Sequence, residues 1–199
     1  MKKVILYVSI LCFVFVISFF GYKHSVPQEL RLDGKLKLYT LEELEKTSTI
    51  IVKASLKEKV STDIVFDNEK VPYDYRTFSN LEIDEIYENN DTSLKIGDQI
   101  KVVEWYANWR DLSGAYTIIS SEQYIPLKSN MEYVLFLYQE PGKEYYEIIG
   151  VHQGKYTFDN YIAQENESSL GKLSTLEIQE YDEYYINNFK LVYDKYIKQ

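Results

Sequence analysis

Thr49-Ile50-Ile51-Val52-Lys53-Ala54-Ser55-Leu56-Lys57 puts Ile50, Val52, Ala54 and Leu56 on one side of an extended chain and Ile51, Lys53, Ser55 and Lys57 on the other. Successive strand side chains point to opposite faces, so this period of two predicts a strand with one buried face. Working outward, β-branched or aromatic runs recur at 63–66, 77–87, 99–106, 115–120, 132–138, 144–150 and 155–158. Turn signals such as Asn89-Asn90-Asp91 and Gly97-Asp98 separate them. The clearest hairpin runs from Tyr133 to Ile149, because its loop, Gln139-Glu140-Pro141-Gly142-Lys143, carries Pro and Gly at the two central positions that a type II turn demands.

Helices are signalled at both ends of this β-rich stretch. Thr40 with Glu43 forms a capping box before Leu41 and Leu44, which predicts a short helix over 41–46. Ser174 with Glu177 forms a second one, and Ile178, Tyr181, Tyr185, Phe189, Val192 and Tyr196 then recur at spacings of three and four, predicting a long C-terminal helix with one packed stripe. Many short antiparallel strands with a helix near each end predict a mainly β fold. The expected form is a small barrel like the oligonucleotide/oligosaccharide-binding (OB) type plus a C-terminal helix, and a β-sandwich is the alternative.

The N-terminal 24 residues follow a different logic. After Met1-Lys2-Lys3, Val4 to Gly21 is an uncharged apolar run of eighteen residues. At about 1.5 Å per residue a helix of this length approaches the ~30 Å hydrocarbon core of a bilayer. Ile17-Ser18-Phe19-Phe20-Gly21-Tyr22 places aromatics where a signal peptidase requires small side chains, favouring an uncleaved signal anchor over a cleaved signal peptide. Cys12 is the sole Cys and lies mid-run, not after a small residue at its end, so a lipoprotein anchor does not fit. The expected organisation is an anchor over 1–24, a tether over 25–39 and one extracytoplasmic domain over 40–199.

Beyond residue 24 the chain is acidic. All 31 Asp+Glu lie there against the 22 Lys+Arg less Lys2, Lys3 and Lys23, a formal charge of −12. Nucleic acid and anionic headgroups repel such a domain, since phosphate neutralisation needs clustered Lys and Arg. With no Cys outside the apolar run, the domain has no disulfide.

Motifs for chemistry are scarce. G-x-S-x-G, H-E-x-x-H, the P-loop and the dinucleotide glycine fingerprint are missing from the chain, so no cofactor, catalytic residue or metal ligand is assigned. His152, in Gly150-Val151-His152-Gln153-Gly154, reads as a surface turn residue. Glu82 and Asp84 share one strand face with Glu85 and Glu88 nearby, and Asp91 and Asp98 bracket the next turn. These acids read as an exposed face, without the ligand spacing of an EF-hand. A carboxylate-dependent hydrolase would need two of them about 5–9.5 Å apart across a cleft.

The aromatic cluster Trp105-Tyr106-Ala107-Asn108-Trp109-Arg110-Asp111 holds both Trp residues of the chain. Aromatic faces stack on sugars or cations and Arg orients polar groups, so Trp105, Tyr106, Trp109 and Arg110 are candidate ligand residues, extended by Tyr138 and Tyr145 on the hairpin. The competing reading has Trp105 in the core and Trp109 closing one end of the barrel.

Leu94-Lys95-Ile96-Gly97-Asp98-Gln99-Ile100-Lys101-Val102 and Leu127-Lys128-Ser129-Asn130-Met131-Glu132-Tyr133-Val134-Leu135-Phe136-Leu137 also occur in order. In them the chain resembles uncharacterised small exported or membrane-anchored proteins of Gram-positive bacteria (Firmicutes), in which an LKGD-x-I-x-V strand precedes an L-x-x-G-x-x-Y-x-L-F-L strand and a Tyr-rich hairpin. The likeness covers about residues 47–158 and departs by an inserted Ile96 and by Asn130 in the glycine position. It implies an OB-like barrel and carries no functional residue. The expected function is therefore a membrane-tethered binding domain for an envelope protein or glycan. An envelope hydrolase and an OB-like protein inhibitor are the rivals.

Overall fold

The computed structural model describes residues 28–32, 37–90, 93–110, 116–121, 124–157 and 177–198. The expected anchor helix, Ser174 and Asp111 lie outside these residues. Among the described residues no helix is long and apolar enough to cross a membrane.

The first elements are strand β1 (Gln28–Leu32) and helix α1 (Leu41–Thr47). Part of the stretch expected to be a tether is thus a strand, paired in parallel with β6 (Tyr116–Ser121). Lys37 to Tyr39 is also held to the body: Gln153 Nε2 donates to the Lys37 carbonyl at 2.7 Å, and the Tyr39 amide donates to Gln153 Oε1 at 2.8 Å. The predicted capping box is present, the Glu43 amide donating to Thr40 Oγ1 and the Thr40 amide to Glu43 Oε2.

Strand β2 (Ile50–Phe66) is one continuous element where two were expected, and β3 (Pro72–Asn89) begins earlier than the expected 77. The tight connection explains both: Asp67 Oδ1 accepts from the Glu69 and Val71 amides, and Lys70 takes the left-handed φ of 63°. The predicted run over 99–106 divides at Trp105 into β4 (Gln99–Glu104) and β5 (Tyr106–Arg110). The rest follow as β7 (Glu132–Tyr138), β8 (Tyr146–Ile148), β9 (Lys155–Thr157) and helix α2 (Glu177–Val192), which runs on into a wider π-turn at Tyr193–Ile197.

The protein is mainly β with a C-terminal helix, as the periodicities predict. Two sheets form. In the smaller, β6 lies between β1 and β5. In the larger, β2 pairs with β3, β3 with β4, β4 with β8 in parallel, β8 with β7, and β7 again with β2, so the pairings return to their start. The 133–149 hairpin is present: Leu137 faces Ile148, the Lys143 amide donates to the Glu140 carbonyl, and Gly142 has the φ of 86° that position i+2 of a type II turn requires.

Ile50, Val52, Ala54 and Leu56 are buried together with Leu81, Ile83, Val102, Leu135 and Leu137, the expected inward face. Ile51, assigned to the solvent side by its spacing, is also fully buried, in a second core with Leu44, Phe136, Tyr156, Phe189, Val192 and Tyr196. Helices α1 and α2 cover the outer side of β2 and β7, so both faces of these strands are apolar. This second core uses the C-terminal stripe expected from Phe189, Val192 and Tyr196.

Two turn residues have local causes. Asn130 takes φ 65°, a left-handed conformation that Asn tolerates better than most residues. A Cβ on Gly154 would sit 2.9 Å from the carbonyl oxygens of Ile149 and Phe136, which leaves room for glycine alone.

Candidate functional site

The expected aromatic site does not assemble as one surface. Tyr106 is only 2% exposed, with its ring stacked at 6.1 Å on that of Tyr124, so it offers no face to a ligand. Alternation places it inward: its carbonyl accepts from Thr77, a buried residue of β3. Trp105 is half-buried at the bend between β4 and β5. Trp109 is half-buried against Phe66, ring centroids 5.4 Å apart, and covers a small cluster of Tyr75, Ala107 and Ile119. Arg110 is exposed at the end of β5. Tyr75 and Phe78 differ by an odd number of residues in an unbroken register, so Trp109 packs on one face of the β2–β3 ribbon and Phe78 lies on the other.

It is on that other face that Tyr145 lies, its ring edge-on to Phe78 at 5.4 Å and 67°. The two half-buried rings line an open depression with Ser61 of β2, Lys101 of β4, and Lys143 and Glu144 of the hairpin loop. The Lys143 ammonium is 5.9 Å from the centre of the Tyr145 ring. Arg76 is paired with Asp74 at 2.5 Å, and that hydrogen bond raises its pKa further. Burial pushes the nearby Glu147 carboxyl above its usual range, with Glu140 adding to the rise while Arg76 and Lys143 oppose it. Tyr138 is exposed beside Glu147 in the β7–β8 pairing and does not line the depression. Of the six candidates only Tyr145 belongs to it. Phe78, Lys101 and Lys143 were missed, although Phe78 and Lys101 alternate with buried Thr77, Ser79, Ile100 and Val102 and are legible as outward residues once the strands are placed.

A second polar group lies inside one end of the ring. Glu104 is fully buried, accepting from Ser79 Oγ at 2.5 Å, Tyr124 Oη at 3.0 Å and the Leu127 amide at 2.7 Å. Lys155 is 7% exposed, donates to the Ile125 carbonyl and lies 4.2 Å from the centre of the Tyr124 ring. Burial lowers Lys155 to about 8, with Glu104 opposing the drop, while burial above all, then Glu104, drives the Tyr124 hydroxyl well above its usual value. At the rim the Lys59 ammonium meets Tyr106 Oη at 2.5 Å. The arrangement clasps residues 124–127 to the strands and leaves Glu104 engaged by three donors.

Of the acids expected to form a face, Glu85 and Glu88 are exposed, Glu82, Asp84 and Asp98 are half-buried, and Asp91 lies outside the described residues. Glu82 pairs with Lys57 at 3.2 Å, and among the described residues no group of three His, Cys, Asp or Glu could hold a metal ion.

His152 is a correction. It is in the turn as expected, but buried, with its ring 6.4 Å from that of Tyr185. Burial, assisted by Lys155, lowers its pKa from 6.5 to about 4. Between those values the unfolded chain binds the extra proton. Stability from this group is thus complete above pH 6.5 and lost as the pH falls toward 4, by on the order of 3 kcal/mol. Urea melts between pH 4 and 7 should show this slope, and His152→Gln should flatten it.

Comparison with protein-family models, curated proteins and solved structures found no match to this chain.

Proposed function

We propose that the chain is a non-catalytic binding domain, tethered to the membrane by residues 4–21, that engages a glycan of the cell envelope on the outer face of β3 and β4. The apolar run supports the tether, since its length suits a bilayer and no small-residue cleavage pattern ends it. Ring order supports an OB-like barrel over a sandwich. Numbering the five ring strands in chain order, the first pairs with the second and fourth, and the third pairs in parallel with the fifth. In barrels of that type the second and third strands and the loop between the fourth and fifth form the binding face.

The depression at Phe78 and Tyr145 occupies that position, and this coincidence is the observation that carries the reading. Either ring can offer an apolar face to a sugar, and polar side chains surround the pair, as ligand sites require.

The test is co-sedimentation of the detergent-solubilised full chain with purified cell-wall sacculi. Wild type is expected in the pellet, and a Phe78→Ala/Tyr145→Ala double variant with unchanged melting temperature in the supernatant. Wild type remaining in the supernatant would sink the proposal.

A further inference from the structure

We infer that the ligand of this depression is an acidic sugar, with a carboxylate held between Lys101 and Lys143. The inference rests on the glycan-binding reading above and adds the charge of the ligand. The depression departs from the rest of the chain in its balance of charge: the protein carries a formal −9, yet two of the three charged residues lining this depression are lysines, Glu144 being the third. Their positions are complementary to a stacked ring. Lys101 faces Asn80 in the β3–β4 register, two residues from Phe78 on the same outer face, and rises from the strand side. Lys143 approaches from the hairpin, over Tyr145. Phe78 and Tyr145 meet edge to face, so a sugar would stack on the face of one ring, with Lys101 and Lys143 lining the same depression.

Neither lysine is committed elsewhere by a close ion pair among the described residues. Lys143 approaches Glu140 only to 4.0 Å, with both side chains exposed, and a contact of that kind contributes little. Lys101 is exposed. A ligand carboxylate therefore meets donors that need not first be released, and a charge-assisted hydrogen bond is roughly twice as strong as a neutral one.

The experiment compares two tetrasaccharides by calorimetry on the full chain in detergent at low salt. One is a neutral N-acetylglucosamine oligomer. The other alternates N-acetylglucosamine with N-acetylmuramic acid, the same backbone carrying lactyl carboxylates. The acidic oligomer is expected to bind roughly tenfold tighter, the factor that about 1.4 kcal/mol of added contact represents. Lys101→Gln/Lys143→Gln should remove that preference, so that the variant binds the two oligomers with equal affinity. Equal binding of both oligomers by wild type overturns the acidic-sugar inference and leaves the glycan reading standing. A preference that survives in the lysine variant overturns the assignment of these two residues. Binding of neither oligomer overturns both.

Discussion

Glu104→Ala is expected to destabilise the protein by roughly 3–5 kcal/mol, the usual loss when one member of a buried charged network is removed. The loss has identifiable parts. Ser79 Oγ, Tyr124 Oη and the Leu127 amide would each lose their acceptor inside the ring, and an orphaned buried donor costs about 1–3 kcal/mol. The Lys155 ammonium, whose charge Glu104 favours, would remain buried without it. For a domain of this size about 1 kcal/mol moves the midpoint by roughly 2–4 °C, so calorimetry should record a fall of roughly 6–20 °C. Glu104→Gln should fall less, keeping one acceptor oxygen. A fall under about 2 °C for the alanine variant would mean that the clasp contributes nothing.

The same network sets an alkaline signature. Lys155 releases its proton at about 8 in the folded chain and at 10.5 in the unfolded one, so between those values the unfolded state binds more protons and stability rises with pH. The buried Tyr124 hydroxyl acts oppositely above 10, where only the unfolded chain ionises it readily. Stability should therefore climb from about pH 8 to a maximum near pH 10, and that climb should disappear in Lys155→Met.

Phe136→Ala should cost about 3–5 kcal/mol, the range for truncating a buried Phe. Phe136 is fully buried on the side of β7 facing α1 and α2, with rings of Tyr156 at 5.9 Å and Tyr196 at 5.7 Å. Its backbone also accepts from the Ile149 amide and donates to the Gly154 carbonyl, so the cavity would open where β7, the 150–154 turn and the C-terminal helix meet. Proteolysis should then release the C-terminal helix at lower denaturant than in wild type. Phe136→Leu, which keeps most of the volume, should lose well under half as much. An alanine variant within about 1 kcal/mol of wild type would show that this second core does not hold the helix.

Local sequence determined several elements of this protein. Alternation identified β2 through Ile50, Val52, Ala54 and Leu56, the Thr40–Glu43 pair identified α1, Pro141-Gly142 identified the hairpin, and the spacing of Tyr185, Phe189, Val192 and Tyr196 identified α2, because each pattern is a consequence of strand or helix geometry over a few residues. Tertiary structure decided what the patterns leave open. The register shift at Leu56/Glu58 changes which way β2 side chains point, turning Lys59 toward Tyr106, and that at Lys59/Ser61 returns Ser61 to the outer face opposite Phe78. Ile51 is buried only because α1 and the C-terminal helix fold over it, and Glu104 and Lys155 meet the same loop only after the strands have closed their pairings. The Trp105–Arg110 cluster stands apart by composition, but whether an aromatic residue packs or stays accessible depends on what lies across from it. The packed ring placed Tyr106 inside and set Phe78 beside Tyr145 on the outer face, from strands far apart in the chain.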